Sequence, residues 1–247
     1  MEKVGVTFLG AGDAFSAGGL NQSGYLVQGA SGSVLIDCGP ATLTRLRQER
    51  IDPVSIDTIL VSHLHGDHFG GIPYLLLNYQ YDSRRRRPLT IAGPPGMEER
   101  VARLYATLYP HTSSLSVPYE ILYSEMSTGI QVKPGGVVVL PYEVPHLDDE
   151  PCFGFRVETD GRTIAYSGDA GWTDTLYPLS ACADLFICEC SSFQSRVPFH
   201  LDYLRLVENR DRFTCKRIVL SHLGAEVLTR RSEIDMELAY DGLYIEL

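Results

Sequence analysis

The segment His63-Leu64-His65-Gly66-Asp67-His68 packs three imidazoles and a carboxylate into six residues, and Gly66 gives the turn its freedom. Imidazole and carboxylate donors suit zinc, iron and similar first-row metals. Alternate positions in a tight turn can direct His63 and His65 at one metal and Asp67 and His68 at another. Four ligands cannot satisfy two ions that each want four or five donors, so others must come from distant sequence. His146, Asp169 and His222 are the candidates, and a carboxylate such as Asp169 can bridge both ions. The bland alternative is a surface histidine cluster without metal. It offers no packing purpose for a His-His-Asp-His group followed by Phe69-Gly70-Gly71.

The elements that must position these side chains follow one pattern. Four strand-like runs each end in a potential ligand: residues 58–62 lead to His63, 137–145 to His146, 163–168 to Asp169 and 217–221 to His222. Ends of buried strands are rigid, and loops leaving them can converge on one cleft. Other apolar, β-branched runs at 4–9, 33–36, 56–61, 130–141, 153–159, Arg162–Tyr166, 185–188, 217–220 and 243–247 read as strands, with Asp160-Gly161 as a hairpin turn. Helical character is expected at 41–50, at Ile72–Tyr81 with Pro73 in the first turn, and near 201–209. Residues 98–108 form the clearest amphipathic helix, with Val101, Leu104, Tyr105 and Leu108 on one side. This mixture predicts an α/β sandwich with helices outside two central sheets. No repeat, low-complexity tract or linker divides the chain, so residues 1–247 are expected to form one domain.

The chain is long enough for a full core, and its 44% hydrophobic and 21% charged residues are ordinary for a globular enzyme. Acids outnumber bases 31 to 21, a net charge of -10, which argues against coating nucleic acid non-specifically. A phosphate-containing substrate stays possible, because bound divalent metals would add positive charge where it matters. The N-terminus runs straight into a strand-like stretch without an apolar signal region. No run approaches the roughly 20 apolar residues needed to span a bilayer. Six cysteines lack any CxxC pair and read as reduced core thiols, or thiols behind the ligands, in a cytoplasmic protein. Cys188-Glu189-Cys190 invites a metal question, but buried strand thiols are the better reading. Arg84-Arg85-Arg86-Arg87 is the one basic run; it either docks a phosphate or is a solvated loop. Phe199, Tyr203 and Trp172 either wall a pocket or belong to the core, and His111 reads as a loop residue.

His63-x-His65-x-Asp67-His68, followed in order by His146, Asp169 and His222, resembles the signature of the metallo-β-lactamase superfamily. The resemblance runs from Phe8-Leu9-Gly10-Ala11-Gly12-Asp13-Ala14 to Ala239-Tyr240-Asp241-Gly242-Leu243. It implies a four-layer αββα sandwich and two divalent metal ions, with Zn2+ foremost and Mn2+ or iron as alternatives. One ion would take His63, His65 and His146, the other Asp67, His68 and His222, with Asp169 between them. Asp37 matches a position usually held by an acid that accepts the free N–H of a ligating histidine, although a turn-forming aspartate is the alternative.

Within the superfamily the chain is most similar to the ribonuclease Z-like phosphodiesterases, through Asn21-Gln22-Ser23, the stretch from Arg87-Pro88 to Pro95-Gly96, Glu189 after a strand and His200 before a helix. That branch implies a hydroxide held between two metals attacking phosphorus. It further implies Asp67, Glu189 and His200 as catalytic residues, His200 giving its proton to the leaving alkoxide, and a homodimer. A satisfied interfacial or N-cap role is the alternative for His200. The segment between Gly96 and His146 leaves no room for a long basic arm that clasps tRNA. A small phosphodiester is therefore expected, and phage enzymes that degrade cyclic nucleotides belong to this branch. Hydrolysis of a lactone, thioester or sulfate ester, or a metal-binding accessory role without turnover, are the other readings.

Overall fold

The computed structural model describes residues 3–112 and 116–247. One sheet holds seven strands: β1 (Gly5–Gly10), β2 (Gly24–Gly29), β3 (Gly32–Ile36), β4 (Thr58–Leu60), β5 (Leu89–Gly93), β6 (Ile121–Glu125) and, last in the chain, β13 (Tyr244–Glu246). Six more strands build the second sheet: β7 (Val138–Val144), β8 (Cys152–Thr159), β9 (Arg162–Tyr166), β10 (Leu185–Glu189), β11 (Ile218–Ser221) and β12 (Glu237–Leu238). The first runs in the order β13-β1-β2-β3-β4-β5-β6 and the second β12-β11-β10-β9-β8-β7. Each sheet is antiparallel on one side and parallel on the other, the parallel portions being β3 to β6 and β9 to β12.

Side-chain alternation along the strands makes the layers. Val6, Phe8, Tyr25, Val27, Val34 and Ile36 meet Phe155, Val157, Ile164, Tyr166, Leu185 and Ile187 in a core between the sheets. The intervening residues Leu9, Leu26, Leu35, Ile59 and Ile91 face outward onto three helices, α1 (Thr42–Gln48), α3 (Ile72–Tyr81) and α4 (Met97–Leu108). Across the molecule, Ala165, Phe186, Cys188 and Leu220 pack against α5 (Leu176–Ser180), α6 (Tyr203–Asn209) and α7 (Ala225–Thr229). Strands buried on both faces read as continuous apolar runs, as Leu185–Cys188 does. The result is the expected αββα sandwich. The short α2 (Gly66–Phe69) belongs to the ligand turn itself.

Some details differ from expectation. Residues 130–141 are not one strand. Pro134-Gly135-Gly136 forms a 3-10 turn in which Gly135 has φ 59, and β7 starts at Val138 with Val132 folded back onto Val139. Proline lacks the ladder N–H and glycine favours the left-handed turn, so the strand cannot run through. Cys38, Cys152, Cys188 and Cys190 are buried thiols as expected, but Cys182 is exposed and Cys215 only partly covered. The basic run is a solvated loop at Arg84, Arg86 and Arg87, but Arg85 fits neither reading. Arg85 is fully buried and donates to the carbonyls of Val54, Ile56, Arg87 and Pro88, while Arg87 pairs with Asp57. Among the described residues no helix is long and apolar enough to cross a membrane.

Candidate metal centre

The parallel strands deliver the site. His63 follows β4, Asp169 follows β9 and His222 follows β11, so carboxyl ends from both sheets meet at one rim of the sandwich, as ligand sites in open α/β sheets commonly do. The Phe153 N–H donates to the Ser62 carbonyl at 3.0 Å and ties the two sheets together there. Gly168, with φ 63, turns the chain into Asp169; a Cβ at Gly168 would lie 2.5 Å from the Phe153 carbonyl oxygen. Only glycine fits this turn without moving Asp169.

All seven expected ligands come together. His63, His65 and His146 place one donor atom each within 4.8 Å of one another, and Asp67, His68, Asp169 and His222 do the same. Asp169 faces both groups. Its Oδ2 lies 3.3 Å from the Nε2 atoms of His68 and His222, and 3.9 Å from those of His63 and His146. Asp67 Oδ2 lies 3.1 Å from His68 Nε2 and 3.5 Å from His222 Nε2, and His65 Nδ1 is 3.1 Å from His146 Nε2.

Neighbouring oxygens set which nitrogen is free in four of the five rings. His68 Nδ1 bonds Asp37 at 2.7 Å, His63 Nδ1 meets Ser62 Oγ at 3.0 Å, His146 Nδ1 meets the Phe199 carbonyl at 3.2 Å and His222 Nδ1 meets Ser191 Oγ at 3.3 Å. Protonation at Nδ1 leaves four Nε2 lone pairs aimed inward, a tautomer assigned here from the hydrogen-bond network. The buried atoms His63 Nε2, His68 Nε2 and Asp169 Oδ1 have no hydrogen-bond partner among the described residues. Polar atoms are not normally buried unpaired. Unpaired metal-ligating atoms gathered this closely fit divalent cations.

The electrostatics agree. Burial disfavours charge on Asp169, yet the imidazoles of His222 and His68 hold its carboxyl well below its ordinary range. Burial likewise opposes protonation of His222, but Asp169 and Asp67 lift it to about 9. His68 is raised in the same way by Asp169 and Asp37, whereas burial keeps His63 well below its usual value. The carboxylates demand positive charge, and a bound cation would supply it in place of these protons.

Beside the cluster, Glu189 is buried at the end of β10, and its Oε2 lies 3.0 Å from His200 Nδ1. Its other oxygen accepts from the Ala170 N–H, next to Asp169. Burial would lower the His200 pKa, but the bond and charge of Glu189 outweigh it and raise it. The His200 ring stacks on His222 with centroids 5.7 Å apart and meets His146 edge-on at 4.9 Å. His111 is exposed, and Tyr203 and Trp172 lie in the outer core, Trp172 under Arg205. Phe199 is exposed at the site and acts through its carbonyl. Residue types alone missed Ser62, Tyr166 and Ser191. Ser191 carried one signal: it lies two positions beyond Glu189, the last residue of β10.

A metal-dependent hydrolase of the metallo-β-lactamase fold, on the ribonuclease Z-like branch, is the class these features define. The chain belongs to the family described as Anti-Pycsar protein Apyc1, whose model matches residues 4–241. It is 30% identical over 189 residues to a ribonuclease Z of Mycobacterium tuberculosis, covering 74% of this chain and 67% of that one. It is 27% identical over 192 residues to the probable metallo-hydrolase YhfI of Bacillus subtilis, covering 76% and 72%. The YhfI crystal structure superposes over both whole chains with a TM-score of 0.80 at 22% identity, which bears on the fold. The short form of human tRNase Z gives a TM-score of 0.78 at 25% identity over 98% of each chain.

Proposed function

We propose that residues 1–247 act as one phosphodiesterase domain that holds two divalent cations and cleaves a small phosphodiester such as a cyclic nucleotide. The observation that carries this reading is the Glu189–His200 pair at 3.0 Å, set against a cluster of five imidazoles and two carboxylates. His63, His65 and His146 would hold one cation and Asp67, His68 and His222 the other, with Asp169 available to either. Zn2+ suits this donor set best, with Mn2+ or iron as alternatives. When bound, the cations supply Lewis-acid stabilisation of charge developing on phosphoryl oxygens. Asp37, Ser62 and Phe199 fix ring orientations beforehand. His200, charged through Glu189 and tied to it by Nδ1, gives its Nε2 proton to the departing alkoxide.

The surroundings favour a small substrate over tRNA. A cleft of about 380 Å3 beside His65 is lined by Leu64, Leu147, Arg100, Asp148, Asp149 and Glu150. Three carboxylates against one guanidinium repel a polyanion but tolerate a single phosphodiester held by cations. Ribonuclease Z relatives support the phosphodiester class, and a cytoplasmic homodimer completes the reading. The test is turnover of 2′,3′- and 3′,5′-cyclic nucleotides and a tRNA precursor by metal-loaded protein. Cleavage of the cyclic nucleotides alone is expected. Cleavage of the precursor would overturn the small-substrate part. Full metal occupancy without phosphodiester cleavage would overturn the whole and favour lactones, thioesters or sulfate esters.

A further inference from the structure

Ser191 sits where the metal cluster and the Glu189–His200 pair meet. Its Oγ donates to Glu189 Oε2 at 2.8 Å and lies 3.1 Å from His200 Nδ1 and 3.3 Å from His222 Nδ1. A hydroxyl has one proton and two lone pairs. With the proton committed to the carboxylate, the lone pairs face the two imidazoles and accept an N–H from each. The His200 Nδ1 proton is shared with Glu189 Oε2, whereas His222 Nδ1 has Ser191 as its one hydrogen-bond partner among the described residues.

The backbone holds this oxygen in place. The Ser191 N–H donates to the Leu201 carbonyl at 3.1 Å, tying it to the segment that carries His200. Its own carbonyl packs against Gly224, two residues beyond His222, where a Cβ would come within 2.0 Å. Gly224 admits that approach because it has no side chain. Ser191 is therefore braced from both the His200 segment and the His222 loop.

We propose that Ser191 is a positioning residue that sets two groups at once: it keeps His222 protonated at Nδ1 so that Nε2 faces the cluster, and it aligns His200 with Glu189. The second half rests on the phosphodiesterase reading; the first does not. Alanine at this position leaves the His222 Nδ1–H without an acceptor, which frees the ring to turn or change tautomer. Outer partners of ligating histidines are typically worth about 10- to 100-fold in metal affinity.

The test compares wild type, Ser191→Ala and Ser191→Thr. Zn2+ affinity is measured by competition with a chromophoric chelator, and visible spectra are recorded on Co2+-loaded protein. Rates are taken for aryl phosphodiesters over a range of leaving groups, with circular dichroism to confirm folding. Ser191→Ala should weaken one metal equivalent by about 10- to 100-fold, shift the Co2+ bands and slow poor leaving groups more than p-nitrophenolate. Ser191→Thr, which keeps the hydroxyl, should restore all three. A folded Ser191→Ala protein with wild-type affinity and spectrum overturns the inference, as does a Ser191→Thr protein as defective as alanine. If wild type cleaves no phosphodiester, the functional reading fails while the affinity and spectral arms still decide the role toward His222.

Discussion

Asp37→Asn should weaken metal binding and lower stability together. The carboxylate is fully buried at φ 56 and accepts four hydrogen bonds: Ser62 N–H at 2.8 Å, Ser62 Oγ at 2.8 Å, His68 Nδ1 at 2.7 Å and Tyr166 Oη at 2.8 Å. Asparagine keeps the shape and tolerates the left-handed backbone, but it offers one acceptor oxygen in place of two. With that oxygen turned to His68, Ser62 Oγ and Tyr166, the new NH2 group faces the Ser62 N–H. That donor is left buried and unpaired, at a cost of about 1–3 kcal/mol. The bond to His68 also loses its charge assistance, a further ~1 kcal/mol. The total of about 2–4 kcal/mol corresponds to a fall in Tm on the order of 5–15 °C for a chain of this size. Affinity for the cation held by His68 should drop about 10- to 100-fold. Calorimetry and chelator competition on the same preparation measure both. An unchanged Tm with unchanged affinity would refute the reasoning.

His200→Ala should keep its metal and lose about 10²- to 10⁴-fold in rate with alkyl leaving groups, but little with p-nitrophenolate, as steady-state kinetics will show. Arg85→Ala exposes four carbonyl acceptors to a cavity and should cost at least ~3 kcal/mol in urea denaturation without altering metal content, whereas the exposed Arg86→Ala should stay within about 0.5 kcal/mol. Chelation should lower Tm, since a cation at a thousand times its Kd stabilises by about 4 kcal/mol per site. Calorimetry with and without added Zn2+ checks this.

The ligands were legible because the chemistry is dense: His63 to His68 lie together, and His146, Asp169 and His222 each end a strand-like run. Apart from Asp37, the residues that orient the rings were not. Ser62 and Tyr166 are single hydroxyls with no spacing to single them out, Ser191 shows only its nearness to Glu189, and the Phe199 carbonyl is backbone, which side-chain type does not encode. Strand β2 was hard to read because its apolar run is only Tyr25-Leu26-Val27, although Gly29 and Gly32 pair across the turn to β3. Residues 130–141 misled because an apolar run conceals the break at Pro134-Gly135-Gly136. Arg85 misled for another reason: a guanidinium that satisfies loop carbonyls looks identical in sequence to one that awaits a phosphate.

Metal content and phosphodiester turnover, measured on one sample, test the central claim most directly. Stripped protein is titrated with Zn2+ while bis(p-nitrophenyl) phosphate hydrolysis is followed, alongside Asp169→Asn. Binding should saturate at about two ions per chain, activity should track the second ion, and Asp169→Asn should lose that ion and turnover. Saturation at a single ion, or full occupancy without hydrolysis, would contradict it.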